Sequence, residues 1–171
     1  MRSLMTALAL LTATAVPAAA QTPKIEDDRS SVGVGFVLLK WHDFETTTKG
    51  IGVDFSKPIR LGTRQTFSIV ADLTWARSGD ETNTTIGGGV RYTLPGSGKT
   101  KVHVQGLLGS ARWSLDGGSD SSFYVAPGAG VLFPLNDSVA LKSQLDIFLP
   151  SWDVGNLYRF WFGASIRLGQ R

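Results

Sequence analysis

FSIVADLTW, residues 67 to 75, carries Phe67, Ile69, Ala71, Leu73 and Trp75 at every second position, with Ser68, Val70, Asp72 and Thr74 between them. Successive side chains of an extended chain point to opposite faces, so this stretch reads as a strand with one apolar and one mostly polar face. The same alternation returns in VGVGFVLL (32–39), GIGVDFS (50–56), TIGGGVRYTL (85–94), VHVQGLLG (102–109), VAPGAGVLF (125–133), VALKSQLDI (139–147) and RFWFGASIRL (159–168). That makes eight strand candidates, each able to supply the ~9–11 residues of a tilted membrane strand.

The connections alternate in character. Those near Pro58–Arg64, Pro95–Lys99 and Pro134–Ser138 hold the proline, glycine and asparagine of tight turns. Those near Asp43–Lys49, Ser78–Asn83, Asp116–Ser121 and Pro150–Asn156 are polar loops. With both termini at the turn end, the pattern predicts an all-β, eight-stranded antiparallel up-and-down transmembrane β-barrel, whose closure removes exposed edges.

Charge decides which face is enclosed. One set in each strand is nearly free of charge, whereas the other holds Asp54, Asp72, Arg91, His103, Lys142, Gln144, Asp146, Arg159 and Arg167. Acids and bases can neutralise one another inside a narrow barrel, and glycines on the same face leave room for long Arg and Lys side chains. Asp146 is expected opposite Arg159 across the 150–156 connection, and Asp72 within a diagonal step of Arg91. The opposite arrangement, with the apolar set inside, would be a soluble lipocalin-like barrel binding an apolar ligand. Depth adds a second signal. Trp41, Trp75, Trp113 and Trp152 fall near the loop ends, and Phe55, Phe67, Tyr92 and Phe133 near the turn ends. Two aromatic belts bounding an apolar band are what a bilayer selects for. The loop end gathers Asp43, Glu45, Asp80, Glu81, Asp116, Asp120 and Asp153, which divalent cations could bridge to an anionic lipid leaflet.

The first residues differ from the rest. Arg2, an apolar run over 4–16 and Ala18-Ala19-Ala20 compose a signal peptide over 1–20 with cleavage after Ala20. Residues 21–30, QTPKIEDDRS, form a polar lead-in, and 31–171 the barrel. With no cysteine in the chain, disulfides, thiolate metal sites and a lipidated cysteine are excluded. After loss of Arg2, sixteen bases face fourteen acids, a charge of +2 that gives no case for nucleic acid.

Along residues 31–168, the eight amphipathic strands, the short turns and the aromatic-alternating RFWFGASIRL segment resemble the OmpA/OmpX-like small outer-membrane β-barrels. The resemblance implies export across the inner membrane and residence in the cell outer membrane as a monomer. It also implies contact with lipopolysaccharide and with the barrel-assembly machinery, and a structural or envelope-integrity role. The chain departs from that pattern at Leu168-Gly169-Gln170-Arg171, where such proteins often finish on an aromatic residue.

Few residues suggest chemistry. Gly96-Ser97-Gly98-Lys99-Thr100 imitates a phosphate loop but has Thr93 where its first glycine belongs. Asp116-Gly117-Gly118-Ser119-Asp120 lacks calcium-loop spacing. His42 and His103 share no motif with a serine and an acid. The expected protein is therefore non-enzymatic, without catalytic residue, cofactor or metal. A narrow pore and a lipid-processing enzyme using His103 or His42 are the alternatives.

Overall fold

The computed structural model describes residues 29–42, 47–60, 66–95, 99–115, 118–151 and 155–169. The expected signal peptide, most of the lead-in and Trp152 lie outside them. Eight strands run β1 Ser31–Trp41, β2 Thr47–Arg60, β3 Thr66–Ser78, β4 Glu81–Thr93, β5 Lys101–Leu115, β6 Gly118–Pro134, β7 Val139–Pro150 and β8 Leu157–Arg167. Each pairs antiparallel with its sequence neighbours, and β1 pairs with β8, so the sheet closes into a barrel. At the seam, Leu168 N donates to Ser30 O at 2.7 Å.

Period-two patterning is realised on every strand. Val34, Phe36, Ile51, Ile69, Leu73, Val90, Val104, Leu145, Phe160 and Phe162 point outward and are exposed, while their neighbours point in. In water so much contiguous apolar surface would drive association; in a bilayer it is the solvated face, and the soluble arrangement is ruled out. Strands extend past the apolar band at the loop end, and β6 reaches 17 residues. The β3–β4 connection is a two-residue turn, Gly79-Asp80, in which Gly79 takes a φ of 58° that other residues resist. At the opposite end, Asn136 Oδ1 accepts from the backbone N–H groups of Ser138 and Val139 at 2.9 and 2.8 Å, the side-chain-stabilised turn its residue type favours.

Two belt assignments need correction. Trp41 is 4% exposed and faces the lumen; it shares parity with Val37 and Leu39, so depth alone misplaces it. Trp113 also turns inward, donating Nε1–H to Glu81 Oε1 at 3.1 Å. Trp75 is on the lipid side at the loop end, joined there by the strongly exposed Phe123. At the turn end Phe55 and Phe133 are exposed outward, and Phe67 and Tyr92 pack ring on ring at 5.0 Å.

Candidate functional site

Inward parity delivers polar side chains from six strands to one level of the lumen, where they are buried from outside solvent. Asp54 on β2 and Asp72 on β3 are direct register partners, a like-charge pair that is costly by itself. Each carboxylate recruits its own cations. Asp54 meets Arg91 Nη2 at 2.9 Å and Lys142 Nζ at 3.0 Å. Asp72 takes Arg159, whose Nη2 donates at 3.1 Å, while Nη1 also reaches Thr74 Oγ1 at 2.7 Å. Arg159 Nε donates to Asp146 Oδ2 at 2.9 Å. Two glutamines join the clusters: Gln105 accepts from Arg91 Nε at 3.0 Å and donates to Asp146 Oδ1 at 2.9 Å, and Gln144 donates to Asp146 at 2.8 Å. Three carboxylates and three cations, all at most 4% exposed, compensate one another.

Strand pairing brings Asp146 opposite Arg159, as expected. Asp72 and Arg91 do not meet. The β3–β4 turn spans two residues rather than six, so Asp72 faces Gly87 and Arg91 faces Ser68. Arg167 is not part of the central network; it sits at the turn-end rim, with Nη1 donating to the Asp137 carbonyl at 3.0 Å. His103 is sealed in the lumen, its Nε2 3.3 Å from Gln144 Oε1. His42 lies on the loop-end rim beside Tyr158, ring centroids 6.1 Å apart. Among the described residues neither histidine hydrogen-bonds to a serine or an acid. Among the described residues no group of three or more His, Cys, Asp or Glu side chains is placed to hold a metal ion.

The glycines do a different job from the one expected of them. A Cβ at Gly33 would collide with the Asp54 carboxylate, and one at Gly128 with that of Asp146; each glycine is the register partner of the acid it accommodates. Gly35 and Gly52 make the slot for the Trp161 indole, and Gly87 and Gly109 make room for the Tyr124 hydroxyl. Lys142 Nζ stands 4.4 Å over the Trp161 ring. Toward the loop end the ion network gives way to an apolar cluster that includes Leu39, Trp41, Leu107, Phe148 and Leu157, bordered by the buried Thr48, Glu81 and Asn83. From the level of the ion network to the loop end the lumen is filled by side chains, as an eight-stranded barrel permits.

No family model matches the sequence, and no curated protein matches it. Solved structures do match. Ail, the attachment invasion locus protein of Yersinia pestis, aligns over 84% of this chain and 100% of its own at 15% identity and TM-score 0.57. OprG of Pseudomonas aeruginosa aligns over 84% and 97% at 9% identity and TM-score 0.58. The outer membrane enzyme PagL aligns over 80% and 99% at 14% identity and TM-score 0.53. The apolar outside, the charge-compensated inside and these likenesses agree, and the fold is that of the OmpA/OmpX-like small outer-membrane β-barrels.

Proposed function

We propose that the protein is a non-enzymatic outer-membrane barrel that anchors in the bilayer and supports envelope integrity, with a lumen that is a plug rather than a channel. The observation that carries this is the charge-compensated ion network, whose six charged side chains, each at most 4% exposed, lie across the middle of the bore. Export by a cleaved signal peptide, insertion by the barrel-assembly machinery and a monomeric state belong to the same reading. Because PagL is an enzyme of this fold, the fold does not argue against catalysis. What supports the non-enzymatic reading is that His103 is enclosed and bonded to Gln144 rather than set beside a serine. Heat-modifiable migration of the protein from outer-membrane fractions tests the location. Planar-bilayer recordings should show no steady conductance; a large, stable current would overturn the plug.

Lipid contact belongs to this proposal, and beside any bridging of the loop-end acids by divalent cations a direct contact is available. Glu81 turns inward to Asn83 and Trp113. Lys40, Lys49, Arg77 and Arg112 are exposed on the outward face near the loop end. Lys49 and Arg77 are register partners on adjacent strands, a like-charge pair that an anionic headgroup between them would relieve. We expect Lys49→Gln with Arg77→Gln to weaken binding to lipopolysaccharide by about 2 kcal/mol, roughly thirtyfold, at about 1 kcal/mol per basic residue at an anionic surface. The loss should persist in a chelator. Unchanged affinity of the double variant would remove these residues from the contact.

A further inference from the structure

The outer wall carries a recess of about 370 Å³ over β5, β6 and β7, within the ~300–1,000 Å³ of small-molecule pockets. Leu108, Val125 and Leu149 line it, and Phe123, 79% exposed, stands at its loop end. Its serine, Ser151, is already bonded to Ser122 Oγ at 2.7 Å, and Tyr124 turns its hydroxyl inward to Gly87 and Gly109. An occupant therefore meets apolar surface. Toward the turn end the floor stays low. Gly106 and Pro127 are register partners with outward parity, and a Cβ at Gly106 would meet nothing within 4 Å. On the loop side Arg112 is exposed outward, two residues beyond the Ser110–Phe123 pair, with Nη2 donating to Ser119 Oγ at 3.1 Å.

The same strands have an interrupted seam. Ser151 N donates to Phe123 O at 2.9 Å. Backbone groups alternate sides along a strand, so those of Phe123, Val125 and Pro127 all turn to β7. The β6–β7 register runs to Val125–Leu149 and resumes only at Gly128–Asp146. Between them Ile147 would stand opposite Pro127, which has no N–H to give.

We propose that this recess seats one acyl chain of an anionic phospholipid, with its phosphate on Arg112. The guanidinium lies at headgroup level above Phe123, and the trough runs from there toward the midplane past Leu108, Val125 and Leu149. A single base above a single trough suits a lipid with one phosphate, whose second chain stays in the bulk bilayer. Guanidinium and phosphate match in charge and hydrogen-bond geometry. Because the walls come from β5, β6 and β7 together, the seated chain clasps these strands beside the stretch where their ladder is interrupted. It is a structural lipid, held in one place. The inference rests on the outer face lying in a bilayer, but not on Lys49 and Arg77, which stand on β2 and β3.

The test is native mass spectrometry of the folded chain released from micelles holding phosphatidylglycerol and phosphatidylcholine with identical chains. One retained phosphatidylglycerol per barrel is expected. Arg112→Gln should lower that retention about fivefold, the worth of one base at an anionic surface, to the level of phosphatidylcholine. Val125→Trp, which fills the recess from an outward position, should abolish retention of both lipids. Heat-modifiable migration verifies folding, and Leu108→Trp takes its place if Val125→Trp does not fold. Lys49→Gln with Arg77→Gln should leave retention unchanged, so failure of the lipopolysaccharide contact and failure of this site are read separately. Hydrogen exchange at the Ile147 and Leu149 amides should slow when the lipid is bound, as a clasp beside the seam requires. Equal retention of the two lipids, or retention that survives in a folded recess-filling variant, overturns the proposal. So does preferential retention of lipopolysaccharide over phosphatidylglycerol, since the occupant would then be a different lipid.

Discussion

Replacing Arg159 by methionine is expected to destabilise the barrel by about 3–5 kcal/mol, the cost of breaking a buried ion pair by removing one partner. Arg159 is 0% exposed and holds both Asp72 and Asp146. Its loss strands two buried carboxylates, one of them directly opposite Asp54. Asp146→Asn should cost less, because Arg159 then keeps Asp72 and Thr74. Combining Arg159→Met with Asp72→Asn should recover part of the loss, since Asp54 and Asp146 then balance Arg91 and Lys142 and Asp146 keeps its bonds from Gln105 and Gln144. Denaturant unfolding in lipid vesicles measures each variant. Coupling between Arg159 and Asp146 should be about 0.5–3 kcal/mol, the range for residues in one network. Strict additivity would show that the two charges do not support one another.

Leu145→Arg is expected to cost about 2–4 kcal/mol, the penalty for a cation on the lipid face near the bilayer midplane. Leu145 is 53% exposed, in the middle of β7, between the outward-facing register partners Ala129 and Phe160. The same change at Leu149, close to the end of β7, should cost only about 0–1 kcal/mol, because the guanidinium can reach the headgroups. Refolding of both variants into vesicles of fixed thickness, with stability read from denaturant midpoints, gives the comparison. Equal stabilities for Leu145→Arg and wild type would mean that this face does not contact lipid.

What could be read from the sequence follows how locally each feature is determined. Inward or outward facing is a matter of parity, so the side taken by Asp54, Lys142 or Phe162 follows from its immediate neighbours. The Asp146–Arg159 pair depends on a single hairpin and was legible once the connection was located. Arg91–Asp54, Lys142–Asp54 and Arg159–Asp72 join strands that are not adjacent. Which of these meet depends on strand stagger around the closed barrel, which no local pattern encodes. Asp72–Arg91 failed for a smaller reason: the turn was shorter than its polar composition suggested, and register follows turn length. Trp41 and Trp113 lie at belt depth, but inward parity, not depth, decides which face their side chains take. Inward glycines read as space in the sequence, yet what fills that space is set by the residue opposite, a carboxylate at Gly33 and Gly128. Lys49 and Arg77 were visible as bases, but their facing each other on the outer surface emerges only from the β2–β3 register.

The last strand has a consequence for how the molecule comes together. β8 carries both Arg159 and Trp161, and it pairs with β1 from the opposite end of the chain. An open sheet of the first seven strands would hold Asp72 and Asp146 without their guanidinium and an unfilled notch at Gly35 and Gly52, besides two bare edges. It would be frustrated rather than merely incomplete. Seating β8 supplies the ladder, the counter-charge and the indole in one event, after the chain has met the entropic cost of joining its most distant segments. Closure is thereby made cooperative, and unfolding from lipid should follow a single sharp transition, the seam being where it begins.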